Sequence, residues 1–244
     1  MTREMMVSDA VVGEKHPAKY SQSILDALGP ILRHRIPCRH GQHAKILDPM
    51  AGIGKIHLAA FESEIPRTGV WRVGGELELP WARKGKELGA MVVHDARSMP
   101  FPDATFDAVV VSPDYGNRMA DHHKARDAST RHTYTHYARN QGWELRPETT
   151  CREHWGRGYW KNGAAIAREM ERVLAWDGVM VVNVKNFTRK GEQMDVVGWW
   201  EKVVSRLVGD VQVKWVETPG LRHGQNHQVR DAREALIVGQ KGPF

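Results

Sequence analysis

Residues 44–54 read AKILDPMAGIG, a short apolar segment that ends in Asp48 and continues directly into a turn containing Gly52 and Gly54. An apolar run of this length that stops at turn residues is typical of a buried strand. Glycines at the carboxyl end of such a strand let the backbone approach a ligand closely, and the helix that follows presents its N-terminus. We therefore expect the first strand of a parallel sheet, with a ligand site at its carboxyl edge.

The rest of the chain alternates strand and helix patterns in both directions from this segment. Apolar runs predict further strands, and helical spacing predicts helices between them; Pro30 is expected to bend or end the first helix. The predicted strands are 44–48, 70–76, 90–93, 106–111, 179–184, 211–216 and 234–239, and the predicted helices are 20–34, 55–63, 80–88, 163–174 and 193–208. Such alternation indicates an α/β fold with a parallel sheet. The last two strands are joined by a loop without a helix, so we expect them to pair antiparallel.

Composition excludes several classes of protein. The chain has 244 residues, of which 41% are hydrophobic and 26% charged, and this balance excludes a disordered or fibrous chain. The two cysteines, Cys38 and Cys151, cannot make a disulfide framework. No apolar run has the length of a signal peptide or a membrane span. We expect a single cytoplasmic domain over residues 1–244.

Acidic residues follow the second and third predicted strands. Glu76 and Leu77 stand somewhat more than 20 residues after the glycine-rich turn, where an acid accepts hydrogen bonds from ribose hydroxyls. Glu78 is the alternative acid if the strand register differs. Asp95, followed by Ala96, is a candidate acceptor for an adenine amine, although such a residue alone is more often a turn or cap.

A fourth motif, Ser112-Pro113-Asp114-Tyr115, follows the predicted strand 106–111. A planar amine can donate to the Ser112 side chain and the Pro113 carbonyl while Tyr115 stacks on its ring. Fixing both amine protons in this way turns the nitrogen lone pair toward an electrophile, which is catalysis by orientation. A buried tyrosine beside a turn proline is the structural alternative.

Together these motifs resemble the S-adenosylmethionine (AdoMet)-dependent DNA amino-methyltransferases of the cytosine-N4/adenine-N6 type. Residues 48–54, DPMAGIG, resemble the family motif DPFxGxG, and residues 112–115, SPDY, resemble its catalytic motif SPPY. The resemblance covers about 15–240 and implies a Rossmann-like, seven-stranded methyltransferase sheet whose last strand is antiparallel. It also implies AdoMet as cofactor, DNA as partner and a setting in restriction-modification. The implied cofactor residues are His16, Pro17, Ala18, Lys19, Tyr20, Asp48, Pro49, Met50, Ala51, Gly52, Gly54, Glu76, Leu77, Asp95, Ala96 and Ser112, and the implied catalytic residues are Ser112, Pro113, Asp114 and Tyr115.

Asp114 departs from the family pattern, which has a second proline at this position. Proline fixes φ and lacks an N–H, whereas aspartate adds a donor and a carboxylate beside the target amine. Three interpretations stay open: a tolerated variation that accepts an amine proton, an inactivating change, or a substrate other than a usual DNA base. Serine at position 112 favours cytosine N4 over adenine N6.

A basic and aromatic insert, residues 116–162, follows the fourth strand. Arginine and lysine neutralise phosphates, and aromatic rings such as Tyr134, Trp143, Tyr159 and Trp160 stack on exposed bases, as binding of a flipped base requires. The alternative is a lid that packs on the core with its own aromatic residues. The loop 220–230 is a second candidate contact because Arg and Asn pair with base edges. The predicted nucleic-acid residues are Asn117, Arg118, His122, His123, Arg126, Arg131, Arg222, His223 and Asn226.

The formal charge of +6 falls in these two segments. Residues 116–162 carry nine basic and five acidic side chains, and residues 212–244 carry five and three, whereas residues 1–115 and 163–211 are each neutral. The charge excess therefore coincides with the predicted nucleic-acid contacts. Histidines near Cys38 match no standard zinc spacing, so no metal site is predicted.

The sequence thus predicts a methyltransferase that modifies an exocyclic amine of a flipped base in double-stranded DNA. Two alternatives remain: a catalytically impaired nucleic-acid-binding relic, suggested by Asp114, and an RNA amino-methyltransferase. The sequence indicates no membrane association and does not indicate an oligomeric state.

Overall fold

The computed structural model describes residues 20–36, 43–59, 69–116, 133–189, 191–218 and 232–242. Nine strands and five α-helices are present in these ranges. The strands are β1 (Ala44–Asp48), β2 (Val70–Glu76), β3 (Ala90–Val93), β4 (Phe106–Val111), β5 (Leu174–Val184), β6 (Phe187–Arg189), β7 (Glu192–Met194), β8 (Val211–Glu217) and β9 (Arg233–Gln240). The helices are α1 (Gln22–Arg35), α2 (Leu79–Gly85), α3 (Tyr134–Asn140), α4 (Arg157–Val173) and α5 (Val196–Val208), and a 3-10 turn covers Lys55–Leu58.

Seven strands form one sheet in the order β3-β2-β1-β4-β5-β9-β8. The pairs from β3 to β5 are parallel, and β9 is antiparallel to both of its neighbours. The chain reverses its direction of travel across the sheet between β1 and β4, which lie side by side. Because ligands bind at the carboxyl ends of parallel strands where the strand order reverses, the fold places a site beside β1 and β4.

The central strands are buried on both faces, as their continuous apolar runs predict. Alternate residues of β4 point to opposite layers: Val109 and Val111 pack with α4 and α5, whereas Ala108 and Val110 pack with α1. The helices cover the sheet because each presents an apolar stripe, such as Ile166, Met170 and Val173 of α4. The resulting scaffold holds the carboxyl ends of the strands at fixed positions.

The structure corrects several predicted boundaries. Helix α1 continues through Pro30 to Arg35, because Leu28 and Leu32 on either side of the proline are both buried against the sheet. The helix predicted over 55–63 is only the 3-10 turn ending at Leu58, and residues 60–68 lie outside the described part. Strand β5 begins at Leu174, and β6 and β7 form a hairpin where the start of the last helix was predicted.

Candidate active site

The carboxyl ends of β1, β2 and β4 and the segment after β3 surround one open cavity. This is the edge at which parallel α/β sheets bind ligands. Ten of the predicted cofactor residues line the cavity: Tyr20, Pro49, Met50, Ala51, Gly52, Glu76, Leu77, Asp95, Ala96 and Ser112. Of the predicted segment 16–20, only Tyr20 lies within the described residues. The motifs that were separate in the sequence therefore meet at one site.

The glycine-rich turn has the backbone geometry that requires glycine. Gly52 and Gly54 have φ of 56° and 75°, in the left-handed region that side chains disfavour. A Cβ atom on Gly54 would also stand 3.1 Å from the carbonyl oxygen of Gly85. The Ala51 amide donates to the Gly75 carbonyl at 2.7 Å, which ties the turn to the end of β2. Gly54 shapes the turn from behind and is not among the residues lining the cavity.

Asp48 is fully buried beneath this turn. Its Oδ1 accepts a hydrogen bond from the Met50 amide at 3.0 Å, but its Oδ2 has no hydrogen-bond partner among the described residues. The buried Tyr20 hydroxyl is also without a partner of good geometry there, although it lies close enough to affect Asp48. Burial raises the pKa of Asp48 to about 7, against the opposing effects of the Met50 amide and the Tyr20 hydroxyl. Such unsatisfied buried atoms are what a polar ligand group would satisfy.

Glu76, and not Glu78, faces the cavity. Burial, together with the nearby carboxylates of Glu78 and Asp114, raises the pKa of Glu76 to about 8, although the amides of Glu78 and Gly52 oppose this rise. The Glu78 amide donates to Glu76 Oε1 at 2.8 Å. Glu78 instead accepts from the Arg146 amide, at 3.1 and 3.3 Å to its two oxygens. The choice between the two acids left open by the sequence therefore falls on Glu76.

Asp95 lines the cavity but is already engaged by Arg97. The Arg97 side chain donates to both carboxylate oxygens, with Nη2 at 2.6 Å from Oδ2 and Nε at 3.0 Å from Oδ1. Partial burial alone would raise the pKa of Asp95, but these hydrogen bonds hold it below its usual value. Arg97 also donates to the Glu148 carbonyl oxygen at 2.7 Å and to Asn162. An adenine amine at Asp95 would share this carboxylate with Arg97.

The SPDY motif follows β4 and contributes to the cavity wall. Ser112 and Asp114 line the cavity, whereas Pro113 lines a smaller adjoining cavity that Asp114 also borders. The Tyr115 hydroxyl lies 3.3 Å from Ser112 Oγ, and its ring packs against the core. Burial raises the pKa of Tyr115. Stacking of Tyr115 on a base stays a prediction.

Asp114 is held by two hydroxyls from the insert. Thr150 Oγ1 donates to Asp114 Oδ2 at 3.2 Å, and the Tyr134 hydroxyl is hydrogen-bonded to the same carboxylate. Burial raises the pKa of Asp114 to about 6, and the two hydroxyls limit the rise. A carboxylate with this pKa is largely ionised near neutral pH and can accept a proton.

Residues 133–152 of the insert, here called the lid, cover one side of the cavity. Tyr134, Leu145 and Cys151 of the lid are buried against Ile53 and Trp81. The ring centroid of Trp81 lies 6.2 Å from that of Tyr134 and 4.9 Å from that of Trp143, both edge-on. Thus the described half of the insert matches the alternative interpretation, a lid that packs on the core with its own aromatic residues.

Beyond the lid, the insert's aromatic residues divide between core and surface. Tyr159 is buried and accepts from Trp200 Nε1 at 2.8 Å, so it is not a free stacking surface for a base. Trp160 is 41% exposed and keeps an accessible ring. The prediction that these rings stack on bases is therefore wrong for Tyr159, whereas Tyr134 is buried but still lines the cavity.

Sequence reasoning missed the lid's contribution to the cavity wall. Tyr134, Thr149, Thr150 and Cys151 line the cavity, as do Trp81 and His94. No motif or spacing connects these residues with the glycine-rich turn, because they reach the site only through the folding of the insert.

The predicted nucleic-acid residues Asn117, Arg118, His122, His123, Arg126, Arg131, Arg222, His223 and Asn226 lie outside the described residues. Within the described ranges, no group of three or more His, Cys, Asp or Glu residues is arranged to hold a metal ion. Cys151 is a free, buried cysteine. In the same part of the chain, no helix combines the length and apolarity needed to cross a membrane.

Comparisons with known proteins show the class of fold. No protein-family model matches the sequence, and no curated protein matches it significantly. Among solved structures, a SAM-dependent methyltransferase from Methanosarcina mazei aligns with a TM-score of 0.50 and 14% identity, over 88% of this chain and 98% of that one. A precorrin-6y C5,15-methyltransferase from Geobacter metallireducens aligns with a TM-score of 0.51 and 12% identity, over 93% of each chain.

At these identities the likeness is one of fold. The chain has the Rossmann-like, seven-stranded sheet of AdoMet-dependent methyltransferases, with the last strand antiparallel.

Proposed function

We propose that this protein transfers a methyl group from AdoMet to an exocyclic amine of a DNA base, with cytosine N4 favoured over adenine N6. The observation that carries the proposal is that one cavity joins the two motifs. Its wall includes the glycine-rich turn through Met50 and Gly52 and the amine motif through Ser112 and Asp114. A methyl donor and its acceptor must meet in such a space for direct transfer.

The cavity fits the chemical groups of AdoMet. The unsatisfied Asp48 Oδ2 and Tyr20 hydroxyl provide buried acceptors that suit an ammonium group. Glu76, at the end of β2, suits the ribose hydroxyls, and Leu77 and Ala96 provide apolar surface for the adenine ring. The acidic cavity also suits a cation, because carboxylates stabilise the positive charge of a sulfonium.

When bound, AdoMet supplies an electrophilic methyl group on a positively charged sulfur. Ser112 and the Pro113 carbonyl accept hydrogen bonds from the two N–H groups of the target amine. These hydrogen bonds fix the plane of the amine and direct its lone pair into the cavity. Tyr115 packs against the core with its hydroxyl 3.3 Å from Ser112 Oγ, which helps to hold the motif in place. The protein contributes orientation more than acid–base chemistry, apart from accepting the released proton.

Charge distribution and motif type support DNA as the substrate. The excess positive charge lies in residues 116–162 and 212–244, the two segments predicted to contact nucleic acid. Serine at position 112 supports cytosine over adenine within the resembled family. A restriction-modification role would follow from site-specific methylation of this kind.

Asp114 is the specific feature that favours a second candidate, a catalytically impaired nucleic-acid-binding relic. Its carboxylate occupies the position of a family proline beside the amine site. The hydrogen bond from Thr150 and that from Tyr134 instead support a retained function, because a carboxylate left over from inactivation has no need of two oriented donors.

Methyl transfer from isotopically labelled AdoMet to unmethylated DNA, followed by nucleoside analysis, tests the proposal. The expected product is N4-methylcytosine, and N6-methyladenine would correct only the base. Matched RNA serves as the competing substrate. AdoMet binding without a methylated base in DNA would contradict the proposal: label in RNA would establish the RNA alternative, and label in neither would favour the relic.

A further inference from the structure

The lid reaches the amine motif at one carboxylate. Asp114 follows β4, whereas Tyr134 begins α3 and Thr150 lies in the loop before α4, so the three residues come from separate elements. Both lid hydroxyls are hydrogen-bonded to Asp114. Because Tyr134 is buried with Ile53 and Trp81, its hydroxyl has a fixed direction. The carboxylate is thereby oriented from two sides.

We propose that Asp114 accepts the proton released by the amine during methyl transfer and that Tyr134 and Thr150 are positioning residues for this carboxylate. The inference rests on the proposed function and makes the lid part of the catalytic centre. It also explains the departure from the family motif: the position of a proline carries a proton acceptor, and the insert carries the groups that orient it.

The transfer step balances with Asp114 as the base. The lone pair of the amine nitrogen forms a bond to the methyl carbon while the carbon–sulfur bond breaks. The electron pair of the broken bond goes to sulfur, which becomes a neutral thioether. The nitrogen then releases a proton to the ionised Asp114 carboxylate, which becomes a neutral acid. Asp114 borders both cavities, and the neutral acid can afterwards release this proton to solvent.

The groups around Asp114 allow it to titrate separately. The titratable side chains that interact with it are Glu76 at the end of β2, Tyr134 on α3, Cys151 in the lid and Tyr159 on α4. Burial is the main cause that raises the pKa of each of these four side chains, and it raises that of Glu76 to about 8. All four side chains are therefore neutral near pH 6. Glu153 is a further carboxylate on the smaller cavity. The pKa of Asp114, about 6, therefore falls below that of the other groups that interact with it.

The test is single-turnover methyl transfer to DNA from pH 5 to 9 at saturating AdoMet, with wild type, Asp114→Asn, Asp114→Pro, Thr150→Val, Thr150→Ser and Tyr134→Phe. Wild-type rate should rise through about pH 6 and then level. Asp114→Asn and Asp114→Pro should lower the rate on the plateau of the pH profile about 100-fold, which is the contribution of a general base. They should also remove the fall in rate on the acidic side of the profile. Calorimetry should show that both variants still bind AdoMet.

The positioning residues have a separate signature. Loss of either lid hydroxyl removes a donor to the ionised carboxylate, so Thr150→Val and Tyr134→Phe should move the acidic limb to higher pH and lower the rate about tenfold at pH 6. Thr150→Ser should restore both. Tyr137→Phe, on the same helix, is the matched control and should behave as wild type.

The outcomes separate the two proposals. Wild type that transfers no methyl group to nucleic acid overturns the proposed function and this inference with it. Active wild type with an equally active Asp114→Asn or Asp114→Pro overturns the inference alone. Unshifted profiles in both hydroxyl variants overturn the positioning roles of Tyr134 and Thr150.

Discussion

Asp48 and Tyr20 are buried polar residues that the described part of the fold leaves incompletely satisfied. An unpaired buried oxygen costs stability and persists where a ligand completes it. The Asp48 carboxylate ends β1 and lies under the glycine-rich turn, so its orientation is fixed by the strand. We interpret the pair as the acceptor of the cofactor's ammonium group.

Asp48→Asn should therefore weaken AdoMet binding at least about tenfold at pH 8, because a hydrogen bond to a charged group contributes about 1.5–3 kcal/mol. Calorimetric titration measures this. Asp107→Asn is the control, since Asp107 is a buried carboxylate on β4 that accepts from the Lys45 amide and does not line the cavity. Equal AdoMet affinity in wild type and Asp48→Asn would contradict the assignment of Asp48 to the ammonium group.

Glu76 makes the protein's stability depend on pH. Burial raises its pKa from 4.5 to about 8, so between these values the folded state binds more protons than the unfolded state. Stability must then fall as pH rises through this window. Asp48 adds an effect of the same sign between 3.8 and about 7.

Glu76→Gln should thus melt at least ~2 °C above wild type at pH 8 without cofactor, and the two should converge near pH 4.5. Added AdoMet should stabilise wild type more than the variant, because Glu76 then has ribose hydroxyls as donors. Differential scanning fluorimetry across pH measures both. A wild-type melting temperature that rises from pH 5 to 8 relative to that of Glu76→Gln would contradict the raised pKa.

At the scale of elements, three contacts fix the lid over the cavity in addition to those of Tyr134, Trp143 and Thr150. Leu145 is buried in one cluster with Ile53 of the glycine-rich turn. The Arg146 amide donates to Glu78, and the Glu148 carbonyl accepts from Arg97. Arg97 also holds Asp95, so the lid and the predicted adenine acceptor share one side chain. Cofactor binding and lid docking are expected to be linked.

Leu145→Ala should loosen the lid, since removing a buried leucine side chain costs about 2–5 kcal/mol. Trypsin should then cleave after Arg152 faster than in wild type, and AdoMet should slow the cleavage. Mass spectrometry of the fragments identifies the sites. Leu207→Ala on α5, where the leucine is only partly buried, is the control; the same lid cleavage in both variants would contradict a local effect.

Elements differ in how far the sequence predicts them. Strands β1 and β4 were predicted with their correct bounds because strands buried on both faces are continuous apolar runs with clear ends. Pro30 does not end helix α1, because the burial of Leu28 and Leu32 in the tertiary structure outweighs the one hydrogen bond that the proline removes. The lid could not be predicted: Thr150 and Asp114 are 36 residues apart, and no periodic pattern signals their contact.

For the molecule as a whole, the formal charge is distributed unevenly between neutral scaffold segments and two basic segments. Residues 1–115 and 163–211 are each neutral, whereas 116–162 and 212–244 contain the whole excess of +6. The cavity wall carries the carboxyl groups of Glu76, Asp95 and Asp114, and Asp48 is buried beneath the glycine-rich turn. The molecule thus combines carboxylates for a cationic cofactor with basic segments for a polyanion.

DNA affinity should consequently fall steeply with salt, as phosphate contacts release counterions. If four arginines of the insert contact phosphates, log Kd should change with log salt with a slope of about 4. Replacing Arg118, Arg126 and Arg131 by Gln should lower this slope, whereas Arg83→Gln on α2 should not. Fluorescence anisotropy measures it, and salt-independent binding would contradict the interpretation.

The proposed function requires that one cavity hold the cofactor with its reactive methyl toward the SPDY motif. A crystal structure of the protein with AdoMet shows whether it does. The ammonium is expected at Asp48 and Tyr20, the ribose at Glu76 and the methyl group facing Ser112 and Asp114. Cofactor bound elsewhere, or bound with its methyl group directed away from Ser112 and Asp114, would contradict it.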